Sequence, residues 1–178
     1  RNHSSAASDV YKRQGISRTL VGETLFSGLY LNELLTRLLP KFDAAPTLFA
    51  AYGDAIEVIS TSADPELTLR RFELLLLEEL GYQIQWQRDF EERPIQQTAH
   101  YCYQPDRGFV PSREADTPLV MSGVQLLTLS DWQRSGYAID EICQAKLKGI
   151  MRLAIDQRLG GRPLKVREAV SEWRQLRE

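Results

Sequence analysis

The chain holds 178 residues, 43% of them apolar and 26% charged, and carries a formal net charge of −2. That composition excludes collagen-like, disordered and disulfide-scaffold classes, and the length allows one domain with at most a small appendage. The longest apolar runs, such as Leu74 to Leu77, fall far short of the roughly 20 residues a membrane-crossing helix needs, so no membrane partner is expected.

Residues 1–14 (RNHSSAASDVYKRQ) are polar, lack an apolar stretch and show no periodicity. They read as a disordered or non-native tail ahead of a domain over residues 15–178. Within residues 19–39 apolar side chains recur at helical spacing, as Leu25, Phe26, Leu29, Tyr30, Leu34, Leu35, Leu38 and Leu39, until Pro40 forbids continuation. A second helix fits residues 46–59, opened by Pro46, with Leu48, Phe49, Tyr52, Ile56 and Ile59 as its buried stripe. Asp64 and Pro65 start a third, Leu-rich helix that Gly81 stops, and its apolar breadth makes it the central element of a bundle.

The pattern changes at residues 82–120. Tyr82, Ile84 and Trp86 alternate, a charged loop follows through Arg93, and residues 98–103 resemble a short strand. Pro105 to Gly108 make a turn into Phe109 and Val110, so a small β-hairpin insert is expected. Ser122 is an N-cap for residues 124–129, a long helix fits residues 139–159 before Gly160 and Gly161, and residues 165–176 close the chain. In that last helix Val166, Ala169, Val170, Trp173 and Leu176 are expected to face inward. The fold class is therefore mainly α, a helical bundle with a small β-hairpin insert.

Chemistry of the catalytic kind is hard to find. Only His3 and His100 exist, no Cys-x-x-Cys occurs, and His100 with Cys102 supplies two ligands where structural zinc needs four. Cys143, beside Ile142 and Leu147 on the inner stripe of the long helix, reads as core. Two cysteines so far apart in sequence fit a reducing, cytoplasmic compartment. No nucleophile with its base, carboxylate pair or metal set supports an enzyme.

Binding is the better class. From residue 134 onward ten Lys/Arg face six Asp/Glu, whereas the first 133 residues hold twelve against eighteen. Lys146, Lys148, Arg152, Arg162, Lys165 and Arg167 lie on the long helix, the Gly-Gly turn and the last helix, where one basic face could track phosphates. Ordinary solvation of helix surfaces accounts for the same charges. Arg70 and Arg71 share a helix with Leu74, so a guanidinium could stand at the rim of an apolar groove and pair with a carboxylate. A surface ion pair with Glu66, Glu73 or Glu78 is the plainer alternative.

Three stretches in order, residues 22–35 (GETLFSGLYLNELL), 65–81 (PELTLRRFELLLLEELG) and 159–168 (LGGRPLKVRE), resemble the C-terminal region of the bacterial DNA repair and recombination family RecO. The likeness runs from Leu20 to Trp173. It implies a non-catalytic recombination mediator that binds single- and double-stranded DNA and the C-terminal tail of single-stranded DNA-binding protein, and that works with RecR to load RecA. It further implies an N-terminal OB domain before the helical domain, and in some members a four-cysteine zinc site in the insert. This sequence lacks those cysteines, so no cofactor is expected, and no OB-like strands precede Leu20, so a fragment of a longer product is expected. The tail is acidic and ends in an apolar aromatic residue with a free carboxylate; Arg70 is its first candidate receptor, Arg71 the fallback. A nucleoid-associated, cytoplasmic location follows from the resemblance. The rival expectation is a purely structural or protein-interaction helical domain that binds no DNA of its own.

Overall fold

A computed structural model describes residues 20–40, 45–61, 65–115 and 117–175. The expected tail, and the positions of Asp64 and Leu176, lie outside the described residues. Six helices and one three-stranded sheet occur among them: α1 (Glu23–Leu38), α2 (Pro46–Thr61), α3 (Glu66–Glu79), β1 (His100–Gln104), β2 (Gly108–Ser112), β3 (Val120–Ser122), α4 (Gly123–Ser135), α5 (Glu141–Arg158) and α6 (Lys165–Gln175).

Local signals explain most boundaries. Ser122 caps α4 by accepting from Gln125 N while the Gln125 side chain accepts from Ser122 N, a reciprocal pair that satisfies two orphan donors. Asp140 caps α5 by accepting from Cys143 N at 2.7 Å. Gly136 ends α4 with φ of 76°. Gly160 and Gly161 stop the chain after α5 with φ of 61° and 76°, conformations that side chains other than Gly and Asn resist.

The sheet runs β2-β1-β3, all antiparallel, with Cys102 facing Val110 on one side and Val120 on the other. The hairpin β1–β2 matches the sequence expectation; β3, only three residues long, carries no pattern of its own. Tyr82 to Trp86 form no strand, although Ile84 and Trp86 are buried and Tyr82 exposed.

Two hydrophobic clusters share a wall. One gathers the sheet, α4 and most of α5 around Tyr101, Phe109, Met121, Leu126, Trp132 and Leu147. The other gathers α1, α2 and the chain after α5 around Leu31, Leu34, Leu48, Ile59 and Leu164. Helix α3 supplies Leu74 and Leu77 to the first and Phe72 and Leu76 to the second; α5 supplies Ile150 to the first and Ile155 to the second. This is why α3 is apolar on nearly every side.

Several expected core positions are corrected. Leu25 and Leu29 of α1 stand 43% and 42% exposed, because the apolar arc of that helix is wider than the face its neighbours cover. Phe49 is 69% exposed and Ala55 takes the buried place in α2. Ile142 points to solvent while Cys143 beside it is buried. In α6 no residue is fully buried, Ala169 is exposed, and Val166, Val170 and Trp173 are half-buried.

Candidate functional site

Helices α1, α3, α5 and α6 converge on a groove of about 630 Å³. Its apolar walls come from Phe26, Leu69, Val166, Val170 and Trp173, and Phe26 meets Trp173 ring to ring at 5.4 Å. Its cations are Arg70, Lys148, Arg152, Arg167 and Arg174, against Glu23 and Glu66. Apolar walls with a surplus of positive charge suit an anionic ligand that carries an apolar group.

Arg70 is only 7% exposed. Its Nη1 lies 2.9 Å from Oε2 of Glu73, which is completely buried. The contact is an ion pair without hydrogen-bond alignment, which leaves Glu73 Oε2 without a hydrogen-bond partner, and Arg70 Nε, buried beside it, has none either. The Tyr30 hydroxyl donates to Glu73 Oε1 at 2.6 Å. Burial pushes the Glu73 carboxyl above its ordinary range, while Arg70 and Tyr30 pull it back. Tyr30 is raised by its own burial and by Glu73. Across the groove, the Arg167 guanidinium stands 5.8 Å from the centre of the Tyr30 ring and bonds to Asp156.

Arg71 and Leu74 do not join this site. One residue further round the helix, Arg71 projects from a different face and lies over Trp132 at 5.0 Å. Leu74 is packed in the sheet-side cluster. A step of about 100° per residue separates neighbours on a helix, which puts Arg70 on the groove and Arg71 on the Trp132 side.

The six basic residues of the C-terminal half are also divided. Lys148, Arg152 and Arg167 line the groove, where Lys148 pairs with Glu66, and Arg152 and Arg167 flank Asp156. Arg162, exposed at the turn before α6, lines a second hollow with Arg152 and Arg167, and Lys165 is exposed as the first residue of α6. Lys146 is turned inward and donates to Val120 O and Gln125 Oε1.

The Gly-Gly turn is gripped from α1. Arg37 donates to the carbonyls of Pro163 and Arg162, and Glu33 accepts from Lys165 N and Val166 N at 2.9 Å each. The donors at the start of α6 are thus already engaged by a carboxylate.

Sequence reasoning missed Tyr30, Phe26 and Arg174 as groove residues, and Glu73 as the buried acid behind Arg70. Glu73 carried one signal: an acid three places after Arg70 in an otherwise apolar run implies a buried pair. Tyr30 and Phe26 were indistinguishable from core.

The family model described as Recombination protein O C terminal matches residues 21–168. A relative from Pseudomonas paraeruginosa (strain PA7), called DNA repair protein RecO, is 42% identical over 156 residues, covering 86% of this chain and 64% of its own length. Relatives of the same name from Nitrosospira multiformis and Coxiella burnetii (strain CbuG_Q212) are 37% and 40% identical, covering 92% and 86% of the chain. The chain spans 64% of the length of the first of these. With three helices of the groove inside the matched span and this identity along most of its length, the chain belongs to the RecO family, in the part the family calls C-terminal.

Proposed function

We propose that the chain is the partner-recognition part of a non-catalytic DNA repair mediator that needs no cofactor, and that its groove receives the C-terminal tail of single-stranded DNA-binding protein. One observation carries the reading: Arg70, nearly buried, stands among the apolar walls of a groove rimmed by further cations. An acidic peptide ending in an apolar residue with a free carboxylate matches each part, the ring to Phe26 and Trp173, the carboxylate to Arg70, the acids to Lys148, Arg152 and Arg174. Cooperation with RecR, help in loading RecA and a place on the nucleoid belong to the same proposal and rest on the family.

Binding of single- and double-stranded DNA is a second part of the reading. Exposed Arg162, which shares a hollow with the groove residues Arg152 and Arg167, and the exposed Lys165 at the start of α6 support it. Lys146, tied to Val120 O, is the weakest of the six candidates.

The test is anisotropy of a fluorescein-labelled tail peptide titrated with the chain at low and moderate salt. Saturable binding is expected, and Arg70→Ala should weaken it by roughly 10- to 100-fold, the worth of a charge-assisted bond. Arg71→Ala should leave it unchanged. No binding by a chain shown to be folded leaves a helical domain that only supports neighbouring structure, and equal binding by Arg70→Ala takes the tail away from Arg70.

A further inference from the structure

Behind the groove sits an acid for which binding alone gives no use. Glu73 is fully buried, takes a hydrogen bond from Tyr30 and faces the Arg70 guanidinium. A buried ion pair is weak evidence for stability, because apolar residues of the same volume often serve a fold as well or better. Its presence next to a groove calls for a local explanation.

That explanation lies in the free end of the guanidinium. A mobile arginine loses side-chain entropy when it grips a ligand; one held beforehand avoids most of that loss. Arg70 is held from one side only. Nη1 faces Glu73, whereas Nε is buried with no hydrogen-bond partner. A planar fork fixed at one nitrogen, with donors still unused, is suited to a carboxylate. The acid is itself fixed: Tyr30 holds Oε1, and Arg167, anchored on Asp156, stands over the phenol ring. Tyr30 and Arg70 both line the groove.

We propose that Tyr30 and Glu73 are positioning residues: the tyrosine hydroxyl orients the Glu73 carboxylate, which fixes the Arg70 guanidinium so that it selects the terminal carboxylate of an acidic peptide. The proposal rests on the reading of the groove as a peptide site and names what makes that site choose a chain end.

The experiment compares two fluorescein-labelled peptides, identical runs of acidic residues ending in phenylalanine, one with a free terminal carboxylate and one amidated. The whole chain is titrated as wild type, Tyr30→Phe, Glu73→Gln, Arg70→Ala and the Tyr30→Phe/Arg70→Ala pair, with thermal melts confirming that each is folded. The wild type should prefer the free carboxylate by about tenfold or more. Tyr30→Phe removes one oxygen and keeps the ring, and should erase most of that preference by weakening the free-carboxylate peptide far more than the amidated one. Combined with Arg70→Ala it should add nothing, since residues acting through one contact are not additive. Glu73→Gln, where folded, should behave as Tyr30→Phe; should it unfold, the tyrosine variant still decides. A Tyr30→Phe chain that keeps the full preference, or that weakens both peptides equally and additively with Arg70→Ala, overturns the positioning role. Equal binding of both peptides by the wild type removes the chain-end selection, and this proposal with it, while the groove remains a peptide site; binding of neither peptide removes the peptide reading itself.

Discussion

The Glu33 carboxylate accepts the backbone N–H of Val166, 133 positions away in sequence, at 2.9 Å, and thereby makes α1 the N-terminal cap of α6. With Lys165 N on its other oxygen, one side chain satisfies two of the four orphan donors of that helix. Because α6 buries no residue fully, this cap and the Arg37 contacts carry much of its attachment.

Glu33→Gln should loosen α6 and destabilise the chain by about 1 kcal/mol, the usual worth of a cap. Burial pushes the Glu33 carboxyl up, but donation from Val166, Lys165 and Arg37 outweighs it and holds the group below the usual carboxylate range. A lowered native value means that the stabilisation is present above the unfolded value of about 4.3 and is lost as pH falls through the native one. Acid titration should shift Trp173 emission toward the red before global unfolding, and Glu33→Gln should lack that step.

Gly123 is close to backbone. A Cβ placed there would stand 1.9 Å from Gln96 O and 2.9 Å from Gln97 Cα, neither of which is a flexible side-chain tip. Gly123→Ala should therefore cost about 3 kcal/mol or more, at the upper end of overpacking penalties, despite a gain in helix propensity. Denaturant melts with a midpoint close to that of the wild type would show that the 96–97 segment yields without strain.

Asp89 organises the insert. Its Oδ1 accepts from Glu91 N and Arg93 N, and its Oδ2 from Arg93 Nε. Burial works against ionisation, yet those donors win and keep the carboxyl low. Asp89→Asn should raise amide exchange across residues 89–95 while leaving α2 untouched. The wild-type protection should fade as pH drops through the lowered native value of Asp89, the same sign as for Glu33.

Charge reversal at Arg162 and Lys165, both exposed, should weaken DNA binding and reduce the salt slope by about 1 to 2, one unit per lost phosphate contact. Fold should be unaffected, because the side chains lie outside both clusters. An unaltered slope in filter binding would assign these residues to solvation.

Helix positions were legible wherever capping and proline chemistry is local: Ser122, Pro46 and the two glycines at 160–161 bracket what the structure shows. Faces were less legible. Phe49 and Leu25 have core-like side chains at core-like spacing, but exposure depends on what packs opposite, which periodicity does not encode. The same limit applied to the site. Arg70 stood out in the sequence as an arginine in a leucine run, yet its difference from Arg71 is a matter of rotation about α3. Tyr30, which holds the counter-ion Glu73, comes from 43 positions upstream of that acid, a distance only the fold closes. β3 escaped because three residues are too few to alternate.

Two helices, α3 and α5, each lend side chains to both clusters. A party wall of this kind ties the fate of the two rooms together. Melting the sheet side strips Leu77 and Ile150 from helices that also carry Leu76 and Ile155, so neither half retains a complete interior once the other opens. Calorimetry should accordingly give a single transition whose van't Hoff and calorimetric enthalpies agree. A cut between the halves would yield two chains with no interior of their own rather than two modules.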